Sequence, residues 1–218
     1  AVSLSLISFQ PTQIAAGRIV IGAVVLLAFC FRYNGGIHIF VKGEQKTWFY
    51  SFGMGAFTNA IPFSLLGLAQ TELMSSFVGI TMSCVPFITL VLAHFFVVGE
   101  KLSYQKVSGL IVGFIGIVIL FDLFEIINQW HVYNNLRFKL ACLGAAICYS
   151  IGSIITRRSP EVSRLNFSAS GLLAGSIIIL PITFFADGVP KHFDFISFLA
   201  LVYLGLIPTA LATLLLVN

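Results

Sequence analysis

The sequence predicts an all-α, polytopic membrane protein, and three observations carry that reading. Seven apolar stretches, each long enough to cross a bilayer, lie end to end within 218 residues. The chain is 58% hydrophobic and 9% charged, with a mean hydropathy of +1.02, whereas an ordinary soluble domain carries about a quarter charged residues. So few charges cannot cover a water-facing surface, so lipid must cover most of it. Third, a pattern recurs: Gly55-Ala-Phe-Thr-Asn-Ala-Ile-Pro-Phe-Ser-Leu-Leu is loosely matched by Gly205-Leu-Ile-Pro-Thr-Ala-Leu-Ala-Thr-Leu-Leu-Leu, 150 positions on. The net charge of +4 and pI near 9.0 read as cytoplasmic loop charge, and nucleic acid is not an expected partner.

About 20 apolar residues cross the hydrocarbon core, and on that measure the spans fall in order. The first is Ile14–Phe31 and the second Thr47–Ala69, which opens on the interfacial aromatics Trp48, Phe49 and Tyr50 and holds Asn59 and Pro62 near its centre. The third, Leu73–Val98, contains Pro86. The fourth, Tyr104–Phe121, carries Gly109, Gly113 and Gly116 along one side. The fifth is Phe138–Thr156, the sixth Phe167–Ala186 with Gly171 and Gly175, and the seventh Phe195–Val217 with Pro208. Trp130 and Tyr133 fall near another expected interface. Ala1–Phe9 reads as the tail of a preceding helix closed by Gln10-Pro11. With no initiator Met, and an apolar run ending at Asn218, the expectation is a fragment. A membrane barrel is a poor alternative, because it needs alternating segments of about 10 residues rather than continuous apolar runs.

Orientation follows from the basic residues. Arg32, Lys42, Lys46, Lys101, Lys106, Arg157, Arg158 and Arg164 lie on one side, against Arg18, Arg137, Lys139 and Lys191 on the other, 8 to 4. The positive-inside rule places the first set in the cytoplasm. The second span then runs outward and the seventh inward, so the recurring pattern is carried in opposite directions. Gly22-Ala-Val-Val-Leu-Leu in the first span and Gly175-Ser-Ile-Ile-Ile-Leu in the sixth give a second pair, 153 apart. Opposed copies are what an inverted repeat of five-helix units requires. The expected division is 1–121 as the first unit, 122–137 as an external connection and 138–218 as an incomplete second unit.

Pro11-Thr-Gln-Ile-Ala-Ala-Gly-Arg18, Asn59-Ala-Ile-Pro-Phe63, Pro86-Phe-Ile-Thr-Leu-Val-Leu-Ala-His94, Val98-Gly-Glu-Lys-Leu102 and Gly109-Leu-Ile-Val-Gly113-Phe-Ile-Gly116 occur in that order. Together they resemble EamA-type members of the drug/metabolite transporter superfamily over essentially the whole chain. The resemblance implies ten helices in two inverted units around a central cavity. Here the start of the first helix, and the ninth and tenth, would be absent. It also implies export of amino acids or other small metabolites.

The span interiors hold no Asp, Glu or Lys. Arg18 is placed within about a turn of the first span's start, near enough to the interface to snorkel. A phosphorylated substrate would want cationic partners in low dielectric, so a neutral or zwitterionic one is expected. Asn59 is the sharpest candidate, since a carboxamide in hydrocarbon must find partners; it either lines a substrate site or bonds across a helix interface. Thr209 is the repeat counterpart of Asn59, and Pro62 three residues after Asn59 and Pro208 beside Thr209 mark broken helices at matched places in the two units, the kind that form transporter sites. Phe63, Thr81, Thr89, Tyr149, Ser153, Tyr203 and Thr209 complete the expected substrate-binding set, against the plainer reading that hydroxyls bond the preceding turn.

Gly109, Gly113, Gly116, Gly171 and Gly175 are assigned to helix packing. His94 is the histidine placed to take a coupling proton; His38, His131 and His192 lack metal-ligand spacing. Cys30, Cys84, Cys142 and Cys148 read as small apolar residues. No cofactor or metal is expected. The expected partners are a small-molecule substrate, the bilayer, a coupling proton or ion and a second copy in a homodimer, in the cell membrane (the inner membrane of a bacterium). The reading is a secondary transporter working by alternating access, with efflux as the direction the resemblance implies. A receptor or assembly subunit explains the duplication less well. An intramembrane enzyme would need a nucleophile–base pair or a metal cluster at depth, which the spans lack.

Overall fold

The structure, a computed structural model, describes residues 2–33, 36, 45–97, 99–120, 136–160, 163–190 and 194–216, and every regular element among them is helical. In chain order these are α1 (Val2–Ser5), α2 (Pro11–Tyr33), α3 (Gln45–Met54), a π-helical segment Gly55–Ala60 and α4 (Ile61–Ala69). Then come α5 (Ser75–Met82), α6 (Val85–Phe96), α7 (Tyr104–Leu120), α8 (Leu136–Arg157) and α9 (Arg164–Ala186). The chain continues with α10 (Phe195–Gly205), a second π-helical segment Leu206–Leu211 and α11 (Ala212–Leu216).

Among the described residues, six helices are long and apolar enough to cross a membrane: Pro11–Tyr33, Lys46–Ala69, Ser75–Phe96, Leu136–Arg157, Arg164–Ala186 and Phe195–Leu215. The expected fourth span is α7, 17 residues long as described; its expected end, Phe121, lies outside the described residues. So do Val98, Val217, residues 122–135 of the expected external connection with Trp130 and Tyr133, and His38, His131 and His192. Leu136 and Arg137, assigned to that connection, belong to the first turn of α8. The outer faces are apolar, with Val112 70%, Phe184 64% and Phe185 86% exposed. Such surfaces suit acyl chains and not water.

Proline sets the breaks. Pro86 has no N–H to offer the carbonyl four residues back, and its ring crowds that turn. The third span therefore divides at Ser83–Cys84, where Ser83 Oγ donates to Ile80 O at 2.6 Å and Cys84 N to Thr81 O at 3.1 Å. Pro62 leaves the Thr58 carbonyl without its usual donor, and the ladder one turn earlier widens, Ile61 N reaching Ala56 O five residues back. Pro208 does the same in the last span, where Ala212 N donates to Ile207 O.

Glycine sets the approaches. α9 runs through the middle of the bundle, buried on most sides, against α2, α3 and the first π segment. A Cβ on Gly55 would stand 2.6 Å from Gly171 O and 2.6 Å from Gly175 N, so these two backbones touch. Gly175 faces Gly55 O and Gly171 faces the Met54 sulfur. Ser51 and Ser170 share a hydroxyl bond of 3.0 Å across the same seam. Small residues and hydroxyls are the usual means of joining helices in lipid. Gly152 on α8 meets Thr58 Oγ1 and the Phe57–Thr58 peptide, again leaving no room for a side chain.

α7 differs. No described atom lies within 4 Å of a Cβ built on Gly109, Gly113 or Gly116, so the packing expected of these three involves no described neighbour. α7 is attached to α6 by an edge-on Phe87–Phe114 contact of 5.4 Å between ring centroids. Its foot is tied by Glu100, which bonds Lys106 Nζ at 2.8 Å and Arg157 Nη1 at 3.2 Å. The Lys106 hydrogen bond holds the Glu100 carboxyl below the usual carboxylate range. At the opposite end α2 is tied to α9 and the turn after it. There Thr12 Oγ1 donates to Asp187 Oδ2, Gln13 Nε2 to Gly188 O at 3.2 Å and Thr183 Oγ1 to Thr12 O at 3.1 Å.

Candidate functional site

The start of α2 decides the site. Pro11 occupies the first helical position, where a missing N–H costs nothing, and Gln13 reaches back to accept from Gln10 N at 3.0 Å, half of a capping box. The helix thus begins three residues before Ile14. Arg18 comes about 10 Å into it at 1.5 Å per residue, too deep for the expected interfacial snorkel, and that expectation is corrected.

The Arg18 side chain lies among three elements. Its Cζ sits 3.7 Å from the centroid of the Phe63 ring on α4, well inside the range at which a ring face attracts a cation. Its Nε donates to Thr209 Oγ1 at 2.9 Å, and Nη2 approaches Pro208 O at 3.5 Å, both in the second π segment. Thr209 Oγ1 in turn donates to Leu204 O at 2.7 Å, the carbonyl that Pro208 cannot serve. Thr209 therefore fills the gap made by its neighbour and presents its lone pair to Arg18. The Phe63 ring meets the Tyr149 ring of α8 at 6.0 Å. Gly22 and Gly205 allow the close approach: a Cβ on Gly22 would stand 3.2 Å from Thr209 Cγ2, and one on Gly205 would stand 2.6 Å from Ile21 Cγ2.

Asn59, one turn before Phe63, is 1% exposed, and its Nδ2 has no hydrogen-bond partner. Asn59 Cβ and Ile19 Cγ2, the latter next to Arg18, both border the Cβ position of Gly175. Thr58 Oγ1 is likewise buried without a partner. A buried donor left unsatisfied costs about 1–3 kcal/mol, so this pair is an open account on the π segment.

Of the expected substrate set, Phe63 and Thr209 contact Arg18 and Tyr149 joins through the Phe63 ring, while Asn59 is buried one turn before Phe63. The other four do not contact it. Thr81 donates to Phe77 O at 3.0 Å, bonding its own preceding turn. Ser153 is half-buried one turn beyond Tyr149 on α8. Tyr203 is 54% exposed on the outer face of α10. Thr89 lines a separate cavity of about 560 Å³ between α6, α7 and α8, at whose mouth stand Glu100, Lys106 and Arg157. His94, at the exposed foot of α6, accepts from Leu102 N at 3.4 Å. The residue that linear reading misplaced is Arg18; Pro11 with Gln13 three positions before the apolar run was the available signal.

Continuous apolar spans with lipid-facing outer surfaces, closed over a polar cluster at depth, define a multi-pass helical membrane protein. The chain belongs to the EamA-like transporter family, which matches residues 2–122. It is 22% identical over 192 residues to an uncharacterized transporter of Archaeoglobus fulgidus, covering 86% of this chain and 66% of that one. It is 27% identical over 171 residues to an uncharacterized transporter of Buchnera aphidicola subsp. Schizaphis graminum, covering 77% of this chain and 54% of that one. The chain thus spans between half and two thirds of the length of these relatives. A protein of known crystal structure shares the fold with a TM-score of 0.76 at 20% identity, over 99% of this chain and 72% of its own.

Proposed function

We propose that the protein moves small organic metabolites across the membrane by alternating access, with the substrate held between two inverted five-helix units. One observation carries this reading. Each of the two matched stretches holds a six-residue π segment, Gly55–Ala60 and Leu206–Leu211; Thr209 of the second bonds Arg18, and Asn59 of the first is buried one turn before Phe63, whose ring Arg18 covers. π segments inside α-helices are frequent at functional sites, and paired broken helices mark the binding centre of inverted-repeat carriers. The outer end, tied between α2 and α9 by Thr12, Gln13 and Thr183, fits a gate between units. Export as the direction, and a bacterial inner membrane as the location, rest on family resemblance. Within this chain, coupling to a proton or ion would use hydroxyls, carbonyls or His94, since the spans given carry no carboxylate; helices outside this chain are the other source.

The test is transport by the purified full chain in proteoliposomes, with Asn59→Ala beside it. The variant is expected to insert and fold normally while counterflow of a transported metabolite falls about tenfold, the loss of one hydrogen bond to the substrate. Undiminished counterflow in Asn59→Ala would remove the site from this position.

A further inference from the structure

Three hollows on the flanks of the bundle differ in the charge they carry. The one of about 560 Å³ between α6, α7 and α8 has both its cations, Lys106 and Arg157, joined to Glu100. Another of about 610 Å³, beside the end of α9, is lined by no charged residue. The third, of about 480 Å³ between α3, α6 and α8, has an apolar wall that includes Phe49, Leu92, Phe96, Ile151 and Ile155, and its one charged lining residue is Arg158. Phe49 is 77% and Phe96 54% exposed, so this groove opens on the lipid-facing side. Ile151, Ile155 and Arg158 recur at i, i+4 and i+7, one face of a helix, and the apolar wall therefore runs up to the guanidinium. The 22 residues of α8 rise about 33 Å, roughly the thickness of the hydrocarbon core, which puts Arg158 at headgroup level. Ile155 packs on Gly53 and brings the start of α3 to the same end. There Lys46, exposed and one turn before Phe49 and Tyr50, adds a second cation on the groove's side of α3. Among the described residues neither Lys46 nor Arg158 has a carboxylate partner.

We infer that this groove binds an anionic phospholipid, one acyl chain lying along Leu92, Phe96, Ile151 and Ile155 and the phosphate held at Arg158 with Lys46 beside it. An apolar wall facing hydrocarbon is filled by an acyl chain and not by water, and unpaired cations at headgroup depth attract anionic lipid. A zwitterionic phospholipid fits less well, because its own ammonium offsets the attraction. A soluble phosphate fits less well, because it leaves the wall unused. Nothing at this site depends on which substrate the protein moves.

The test titrates the purified full chain in detergent with dioleoyl phosphatidylglycerol, dioleoyl phosphatidylcholine and glycerol 3-phosphate, reading binding from the shift of the unfolding midpoint. Phosphatidylglycerol is expected to bind about tenfold or more tightly than phosphatidylcholine, and glycerol 3-phosphate to give no shift. Arg158→Gln and Lys46→Gln, both at exposed positions that the fold tolerates, are each expected to cut the preference about fivefold, and the double variant to erase it. Arg137→Gln, at the opposite end of α8 and equally exposed, is expected to leave it unchanged. Equal shifts from the two lipids, or a preference that survives the double variant, would overturn the inference. An equal loss in Arg137→Gln would do so too, since the attraction would then belong to the whole surface. Stabilisation by glycerol 3-phosphate matching that by phosphatidylglycerol would replace the lipid with a soluble anion and overturn it as well.

Discussion

The two π segments are built from the same cause and finished differently. In both, a proline withholds an N–H and the helix widens by one residue. At Leu206–Leu211 the exposed carbonyl is closed at once by Thr209, whose hydroxyl is also spoken for by Arg18. At Gly55–Ala60 two buried polar atoms, Thr58 Oγ1 and Asn59 Nδ2, are left without partners. One segment is a satisfied support that holds the cation still. The other keeps hydrogen-bonding capacity in reserve, which a packed helix junction has no reason to do. On the proposed transport reading, the difference suits Thr209 to positioning and Asn59 to the ligand.

The largest effect that would break this comparison is at Gly55. Leucine there meets backbone atoms of Gly171 and Gly175 at 2.6 Å, and backbone in two helices cannot step aside as a side chain can. Gly55→Leu is expected to cost about 3 kcal/mol or more, read as loss of monodisperse folded protein in detergent. A normal thermal midpoint would mean the first π segment is not seated on α9.

Next in size, the two polar residues should respond with opposite sign. Thr209→Val strips Leu204 O and Arg18 Nε of their partner together and is expected to destabilise by about 2–3 kcal/mol. Asn59→Leu removes an unsatisfied donor and should leave stability unchanged or raise it by about 1 kcal/mol. Thermal unfolding of both variants in one detergent checks the pair; losses of equal size would erase the distinction drawn here.

The smallest effect lies away from both segments, at the Glu100 ion pairs. The folded-state carboxyl titrates lower than it does unfolded. Its contribution is thus present above the unfolded value, near 4.5, and is lost as pH falls through the lowered folded one. Both cations are half-exposed, so the effect is modest and screened by salt. The midpoints of wild type and Glu100→Gln should differ slightly at neutral pH and converge in acid. A gap that persists in acid would assign Glu100 another role.

Legibility followed physical constraint residue by residue. Pro62 and Pro208 were readable because a missing donor has the same consequence in any helix. Asn59 was readable because an amide in hydrocarbon is costly wherever it points. Tyr149 and Tyr203 were not separable, since each sits in an apolar run and only the turn of its helix against neighbours puts one beside Phe63 and the other outward. The glycine stripes on α7 and α9 likewise look alike in sequence, yet α9 is surrounded and α7 is met along that face by no described atom. Gly152, which bears the tightest approach, carried no pattern to distinguish it.

By itself the sequence determined a lipid-embedded helical chain, its spans to within a few residues and the two proline breaks, because each follows from hydrocarbon thickness or a lost backbone donor. Only the tertiary structure decided that Arg18 enters the bundle. That outcome depends on the three extra residues at the start of α2 and on a ring and a hydroxyl waiting on two other helices, neighbours that no periodicity in one strand of text contains.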